Sequence, residues 1–518
     1  MGVGDVIRRS ASKFPNKTAL IFEGQRMTYD ALNRRVNRAA HGLRGLGLQK
    51  GDRAAVLLHN GPEFIELYFA CAKSGVVFVP VNNLLKAREL VQIFTYIKPR
   101  ALVLDDDFRE LVETILPELP FLEFPVSLQG SEEDRMTYRN LLESGAESEP
   151  EVEMVDTDLI SIFLTSGTTG RPKGVMRTHR QDWINMLSCA LELGIRYDDR
   201  ALLLFPFYHV TFVDNMRHFL MANTVAIRRE GGFDARAVLE LLSREGITVC
   251  QFVPTMINAL LQVDDLTGCD LSRFRLLPYA AAPMPVELLK RAMQRFPCQF
   301  AQMYGQTETG PATTALRPED HRLEGSEAEV ARLASAGRPI VDYEARIVDE
   351  AGRDVAEGEV GELIVRSEAM TSGYWELPEE TARTIRDGWL HTGDYCRFDA
   401  EGYVFIVDRK NDMIISGGKN IYPREIEEVL YTHEAVLEAA VIGVPDDYWG
   451  EAVKALVVLK PGTRATEEEI IALCKKNLAS YKKPKSVEFR DHLPKSPTGK
   501  LLKRVIREDY WKEKDRRV

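Results

Sequence analysis

The sequence predicts an α/β protein with a large N-terminal part of mostly parallel sheets flanked by helices, a small β-rich subdomain, and a small α+β domain at the C-terminus. Three observations carry this. The first part of the chain alternates short β-forming runs with amphipathic helical runs, the order that builds parallel strands under covering helices. Residues 340–407 hold short β runs separated by glycine and charged turns. After Asp408 the pattern changes to a compact mixture of helices and extended runs, of the size of an independent domain.

Taken in order, Thr28 is placed to cap a helix whose apolar face repeats at Leu32, Val36, Ala39 and Leu43, with Gly45 and Gly47 ending it. Residues 53–58 read as a strand. Pro62 suits a first helical turn, and Ile65, Phe69 and Ala72 continue that helix to Gly75. Residues 76–81 are extended, 90–97 helical and 101–104 extended. A polar, acidic connection over residues 143–158 leads into LISIFL, residues 159–164, which reads as a buried strand. Further on, residues 201–205, 224–227 and 248–253 are extended and 237–242 helical. The subdomain strands are 345–348, 361–365 and 402–407. The C-terminal unit has helices over 423–430 and 467–477 and extended runs over 436–444, 452–459 and 486–489. These divide the chain into 1–408, a hinge at 409–413, and 414–518.

Composition narrows the function. With 45% hydrophobic and 28% charged residues, the 518-residue chain is of the ordinary globular type. A net charge of −11 disfavours nucleic acid and anionic membranes as partners. The seven cysteines are scattered with no CxxC pair, which argues against a disulfide framework or zinc site and for a reducing, cytoplasmic setting. No secretory signal, membrane-spanning run or C-terminal targeting signal is expected. Monomer and homodimer both remain open.

The chemistry gathers around residues 164–174, LTSGTTGRPKG. Four hydroxyls, Thr165, Ser166, Thr168 and Thr169, are interleaved with Gly167 and Gly170 and followed by Lys173. The expected arrangement is strand, loop, then helix, with backbone amides, hydroxyls and the lysine wrapping a polyphosphate. It is not a Walker loop, because Gly174 follows the lysine.

This string resembles the phosphate loop of the adenylate-forming superfamily, which includes acyl- and aryl-CoA synthetases, peptide-synthetase adenylation domains and beetle luciferases. Further segments match in the family's order: YAAAPMP (279–285), MYGQTETG (303–310), HTGDYCRFDAEGY (391–403), VDRKND (407–412) and LPKSPTGKLLKR (493–504). The resemblance implies an ATP-dependent acyl-CoA synthetase. A carboxylic acid and ATP give acyl-AMP and pyrophosphate; CoA thiol then gives acyl-CoA and AMP, with rotation of the C-terminal domain between the steps. The alternatives are an adenylating enzyme that loads a carrier protein, and a non-catalytic nucleotide-binding regulator.

The same resemblance assigns roles. Thr165, Ser166, Gly167, Thr168, Thr169, Gly170 and Lys173 hold phosphates. Glu308, with Thr165, ligates Mg²⁺, a hard cation suited to oxygen donors. Thr307 contacts phosphate, Tyr304 with Gly305 borders the adenine, and Ala282 and Pro283 run along it; Ala280 and Ala281 stand where the family usually has glycine. Asp394 and Arg409 reach the ribose. Lys500 is the catalytic cation, and Lys495, Lys503 and Arg504 are read as surface. His209 borders the acyl and pantetheine entrances. Gly417 and Gly418 line the pantetheine path, and the lysines of YKKPK (481–485) form a basic patch able to meet CoA phosphates. Asn411 departs from the Asp or Lys usual at the hinge. Thr211, Phe212, Asn215, Phe252, Pro254 and Thr255 wall the acyl cavity, whose polar Asp214 and Asn215 favour an aromatic or short-to-medium acid.

Overall fold

A computed structural model describes residues 2–130, 136–165, 172–229, 231–409, 412–496 and 500–511. Two mostly parallel sheets form the N-terminal part among the described residues. One has nine strands, in the spatial order Arg338–Pro339, Gly310–Leu316, Gln299–Gln306, Leu276–Tyr279, Val249–Cys250, Arg200–Leu203, Thr224–Ile227, Thr18–Phe22 and Gln25–Thr28. Its central pairs are parallel and its edges antiparallel. The other has six strands, in the order Phe124–Ser127, Ala101–Leu104, Arg53–Leu57, Val77–Pro80, Leu159–Thr165 and Lys173–Thr178.

The expected caps and stops are present. Thr28 accepts the Ala31 amide at the start of the helix Tyr29–Gly45. Pro62 opens the helix Pro62–Ser74, and Gly75 ends it in the left-handed conformation at φ 79°. That helix is buried almost throughout. Phe64 and Tyr68 project from it into an aromatic cluster with Phe78, Phe207 and Phe212 at edge-on angles. Beneath it lies the fully buried pair of Arg177 and Asp182, with the Tyr68 hydroxyl donating to the same carboxylate at 2.8 Å.

One expectation is overturned. The glycine-rich loop does not lead from a strand into a helix. Leu159–Thr165 pairs antiparallel with Lys173–Thr178, Thr165 opposite Lys173, so the loop joins two strands of a hairpin. Residues 173–178 (KGVMRT) continue the sheet because Val175 and Arg177 are buried and Gly174 lets the strands pack closely; a Cβ there would lie 2.7 Å from Ile162 Cγ2. The helix begins only at His179, capped by Thr178 and Gln181.

The β-rich subdomain is a five-stranded antiparallel sheet built from Glu344–Val348, Gly361–Arg366, Trp389–Phe398, Ile385–Arg386 and Val404–Arg409. The C-terminal sheet contains Lys419–Ile421, Ile414–Ser416, Gly450–Leu459, Val436–Asp446 and Ser486–Phe489. The helices Pro423–Tyr431 and Glu467–Asn477 pack against it through Ile426, Leu430, Ile470 and Cys474. Among the described residues no helix is long and apolar enough to cross a membrane.

Candidate active site

The strand Gln299–Gln306 turns tightly into Gly310–Leu316, and this turn carries the YGQTE segment. Gly305 is required by the hairpin itself: a Cβ there would lie 2.5 Å from Pro311 O and 2.6 Å from Gly310 O. The Gln306 amide donates to Thr309 Oγ1 at 2.9 Å and closes the turn. Glu308 O accepts the Thr371 amide at 2.8 Å, which ties the turn to the segment following the subdomain strand Gly361–Arg366.

Asp394 is the organising carboxylate. It is buried in the strand Trp389–Phe398, directly opposite Arg409 in the antiparallel ladder. Its Oδ2 accepts the Tyr304 hydroxyl at 2.6 Å and Gln306 Nε2 at 2.9 Å; Arg409 Nε lies 3.4 Å from Oδ1. Burial, reinforced by the Asp394 charge, pushes the Tyr304 phenol well above its ordinary pKa, so Tyr304 stays protonated and donating. On the same strand Cys396 is buried, its thiol 3.8 Å from Asp394 O, and burial followed by the Asp394 charge raises its pKa as well.

A second cluster forms on Tyr374. Its hydroxyl donates to Glu308 Oε1 at 3.0 Å, and the Lys173 ammonium lies over its ring at 4.9 Å from the centroid. Lys173 also pairs with Glu380 at 2.6 Å. One tyrosine thus touches both the lysine that closes the glycine-rich loop and the carboxylate expected to hold a metal. Thr165, at the loop's base, directs its hydroxyl to Lys173 O at 3.4 Å. Ser166, Gly167, Thr168, Thr169 and Gly170 lie outside the described residues, as does Asn411.

Lys500 reaches this site from the C-terminal domain. Withdrawal from water, with the nearby Arg409 charge, lowers its pKa to about 8 against the opposing pull of Asp394 and Asp412. The same ammonium acts on His209, whose pKa falls to about 4, chiefly through burial. The Thr211 amide donates to His209 Nδ1 at 3.3 Å, with Thr211 Oγ1 2.7 Å from the same nitrogen. Nδ1 is therefore the acceptor and the neutral ring carries its hydrogen on Nε2. Lys500, Arg409, Asp394 and His209, expected from four separate segments, are brought within electrostatic reach of one another.

Other expected residues are placed less distinctively. Ala282 and Pro283 follow the strand Leu276–Tyr279, and just before them Ala281 holds a left-handed backbone at φ 70°. Thr307 sits in the turn beside Glu308 without a distinguishing contact. Gly417 and Gly418, at φ 57° and 75°, form the two-residue turn of the hairpin Ile414–Ser416 to Lys419–Ile421; a Cβ on Gly417 would lie 2.4 Å from the Trp449 ring. Within YKKPK, Lys482 is paired with Glu425 and Lys485 with Asp446, so that patch is largely neutralised. Lys495 and Lys503, read from the sequence as surface residues, are engaged instead: Lys495 with Glu438, and Lys503 with Glu427 at 2.8 Å.

Of the expected cavity wall, Thr211, Phe212, Asn215 and Phe252 are buried. Asn215 Nδ2 donates to Thr211 O at 2.8 Å, and Asp214 is paired with buried Arg217 at 2.6 Å. Gln306, Tyr374 and Glu380 were not anticipated. Within the YGQTE segment no role is assigned to Gln306 by the resemblance, and Tyr374 and Glu380 carry no local signal.

Glu308 suits a hard divalent cation. Tyr374 donates to one of the Glu308 carboxylate oxygens, Oε1, and such an oxygen-donor group is what Mg²⁺ prefers. No cluster of three or more metal-ligating side chains occurs among the described residues, so a cation at Glu308 would draw further ligands from phosphate and water.

Comparison with known proteins bears on this arrangement. Residues 7–375 match the AMP-binding enzyme family, and residues 425–500 match the AMP-binding enzyme C-terminal domain. A feruloyl-CoA synthase of Amycolatopsis sp is 37% identical over 98% of this chain and 99% of its own. A fatty acid–[acyl-carrier-protein] ligase of Streptomyces coeruleorubidus is 36% identical over 97% and 95%. The crystal structure of an anthranilate CoA ligase in complex with anthranoyl-AMP superimposes with a TM-score of 0.91 at 29% identity, covering 98% of this chain and 97% of that one.

Proposed function

The chain belongs to the AMP-binding, adenylate-forming family, among its AMP-forming acid–thiol ligases, and from that premise we propose that it makes acyl-CoA from a free carboxylic acid, ATP and CoA. The observation that carries this reading is the set of Tyr304, Gln306 and Arg409 on the Asp394 carboxylate, with Lys500 close enough to act electrostatically on the same site.

The first step forms a bond between a carboxylate oxygen and the α-phosphorus and breaks the bond to pyrophosphate. Negative charge concentrates on the α-phosphate oxygens and the entering carboxylate, where the Lys500 ammonium is directed. Asp394, with both oxygens already oriented by Tyr304, Gln306 and Arg409, accepts the ribose hydroxyls. Lys173 and the loop hydroxyls neutralise the leaving pyrophosphate. Glu308 and Thr165 would hold Mg²⁺, which neutralises phosphate charge when bound. Neutral His209, with its Nε2 hydrogen, borders the acyl carboxylate without adding a competing charge.

In the second step a thiolate attacks the acyl carbon and AMP leaves with its phosphate. Lys500 must vacate the site to admit the thiol, and the connection at 409–413 between the strands Val404–Arg409 and Ile414–Ser416 is where the C-terminal domain turns. Gly417, pressed against Trp449, then borders the pantetheine path.

The acid is aromatic or of short to medium length. Phe212 is committed to the aromatic core, and Asp214 and Asn215 are fixed in a polar network with Arg217; a wall of this polarity favours such an acid over a long alkyl chain. The feruloyl and anthranilate relatives support this reading, whereas the fatty acid–[acyl-carrier-protein] ligase relative favours a fatty acid. Carrier-protein loading is the second reading, favoured by the acyl-carrier-protein ligase relative. The test is acid-dependent pyrophosphate release across a panel of aromatic, medium-chain and long-chain acids, with and without CoA. The expected products are pyrophosphate, AMP and acyl-CoA, with benzoate-like or medium-chain acids outpacing palmitate. AMP without acyl-CoA would shift the assignment to a carrier protein, and ADP would reject the reaction.

A further inference from the structure

Asp408 stands at the end of the N-terminal part, yet its carboxylate also bonds to the C-terminal domain. The residue is 7% exposed. One oxygen accepts the neighbouring Arg409 amide at 2.7 Å, and the other accepts the Arg424 amide at 3.1 Å. Arg424 lies in the first turn of the C-terminal helix Pro423–Tyr431, where a carboxylate both caps free amides and complements the helix dipole. The Arg424 guanidinium returns the contact, donating to Ile406 O at 3.0 Å on the strand that carries Asp408.

Lys503 completes the arrangement. It follows Lys500 closely, at the start of the helix Lys503–Trp511, and pairs with Glu427 on the helix Pro423–Tyr431. Only 14% of its side chain is exposed. Burial works against its charge, but Glu427, Asp408 and Asp412 outweigh it and hold its pKa above the ordinary value. Arg507 pairs with Asp412 at 2.7 Å and steadies the same helix. Glu427, Arg507 and Lys503 all lie beyond the connection at residues 409–413, so they travel together when the C-terminal domain turns, whereas Asp412 lies within that connection. Asp408 stays behind.

We infer that Asp408 is a positioning residue, a latch that holds the C-terminal domain in the pose presenting Lys500 by gripping the Arg424 amide at the start of the helix Pro423–Tyr431. The inference rests on the proposed two-step reaction. Rotation leaves Lys503 paired with Glu427, while Asp408 loses the Arg424 amide and must find water. Asp408 therefore carries part of the energetic preference for the adenylating pose, alongside the Arg424–Ile406 O bond and the Val286 amide donated to Glu428 across the same junction. It acts on the first half-reaction through Lys500 and has no role in the second.

The test separates the half-reactions in the full-length protein. Asp408→Ala is expected to lower acid-dependent ATP–pyrophosphate exchange about tenfold, the scale of a lost hydrogen bond to a charged group. Thioester formation from supplied acyl-adenylate and CoA should be retained or accelerated. Asp408→Asn, which keeps an acceptor for the Arg424 amide, should recover part of the exchange. Glu427→Gln changes a group that moves with Lys503 and should not split the two rates. Parallel loss of both half-reactions in Asp408→Ala, with a lowered melting temperature, would make Asp408 a structural residue and overturn the latch. Unchanged exchange would overturn it equally. If the wild-type protein shows no acid-dependent exchange at all, the underlying two-step reading fails, and the latch with it.

Discussion

Lys173 and Glu380 stand 2.6 Å apart, so the lysine that closes the glycine-rich loop is already engaged by a carboxylate. In the proposed reaction, incoming phosphates compete with Glu380 for that ammonium. Both side chains are partly exposed, and such a pair is worth about 1 kcal/mol or less. Glu380→Gln is therefore expected to lower the KM for ATP by up to about fivefold while leaving kcat nearly unchanged, as read from initial rates at varied ATP.

Lys500 supplies a pH signature. Its pKa is lowered to about 8, and the proposed chemistry needs the protonated form. For the free enzyme, kcat/KM of the adenylation step should be level below about pH 8 and fall tenfold per unit above it. His209, at about 4, is neutral throughout this range, so no inflection should occur near pH 6.5. Lys500→Ala should slow exchange by about 10²–10³. Lys500→Arg should abolish the alkaline fall at a reduced rate. Profiles of ATP–pyrophosphate exchange from pH 5.5 to 10 check all of these.

Ala281 holds a left-handed backbone at φ 70° in the segment expected to lie along the adenine. An alanine there costs about 1–2 kcal/mol relative to a right-handed conformation, whereas glycine adopts it freely. Ala281→Gly should raise stability by about 1 kcal/mol in urea unfolding, provided the slope with denaturant is unchanged.

Asp182 is fully buried, paired with Arg177 and bonded to the Tyr68 hydroxyl. Arg177 also donates to Ala369 O at 3.5 Å, so the pair links the hairpin strand Lys173–Thr178 to the segment following the subdomain strand Gly361–Arg366. Asp182→Ala leaves a buried guanidinium uncompensated and should cost about 3–5 kcal/mol, measured as a lower urea midpoint.

Much of this was legible in the chain because it is encoded locally. Thr28, Pro62 and Gly75 mark helix ends by capping geometry, and the predicted helix over 467–477 matches Glu467–Asn477 residue for residue. The hairpin at the glycine-rich loop was not legible, because the expected order was strand, loop, then helix, and the close packing of Gly174 on Ile162 that continues the sheet shows only in the fold. Lys503 looked like one more lysine in a basic tail; its burial depends on Glu427 and Asp408, which are distant in sequence. Glu380 and Tyr374 escaped notice for the same reason, since only the folded subdomain brings them to Lys173 and Glu308. Asp394 and Arg409 were recognisable by their segments, but their facing register across one ladder was not.

The burial of Cys396 beside Asp394 has a chemical consequence. An acyl-adenylate is an acylating agent for any thiolate it meets, and a protein that generates one risks modifying itself. Cys396 is withheld from that fate because a thiol kept protonated in an apolar setting is a poor nucleophile. The activated acid can then persist until an outside sulfur arrives to claim it.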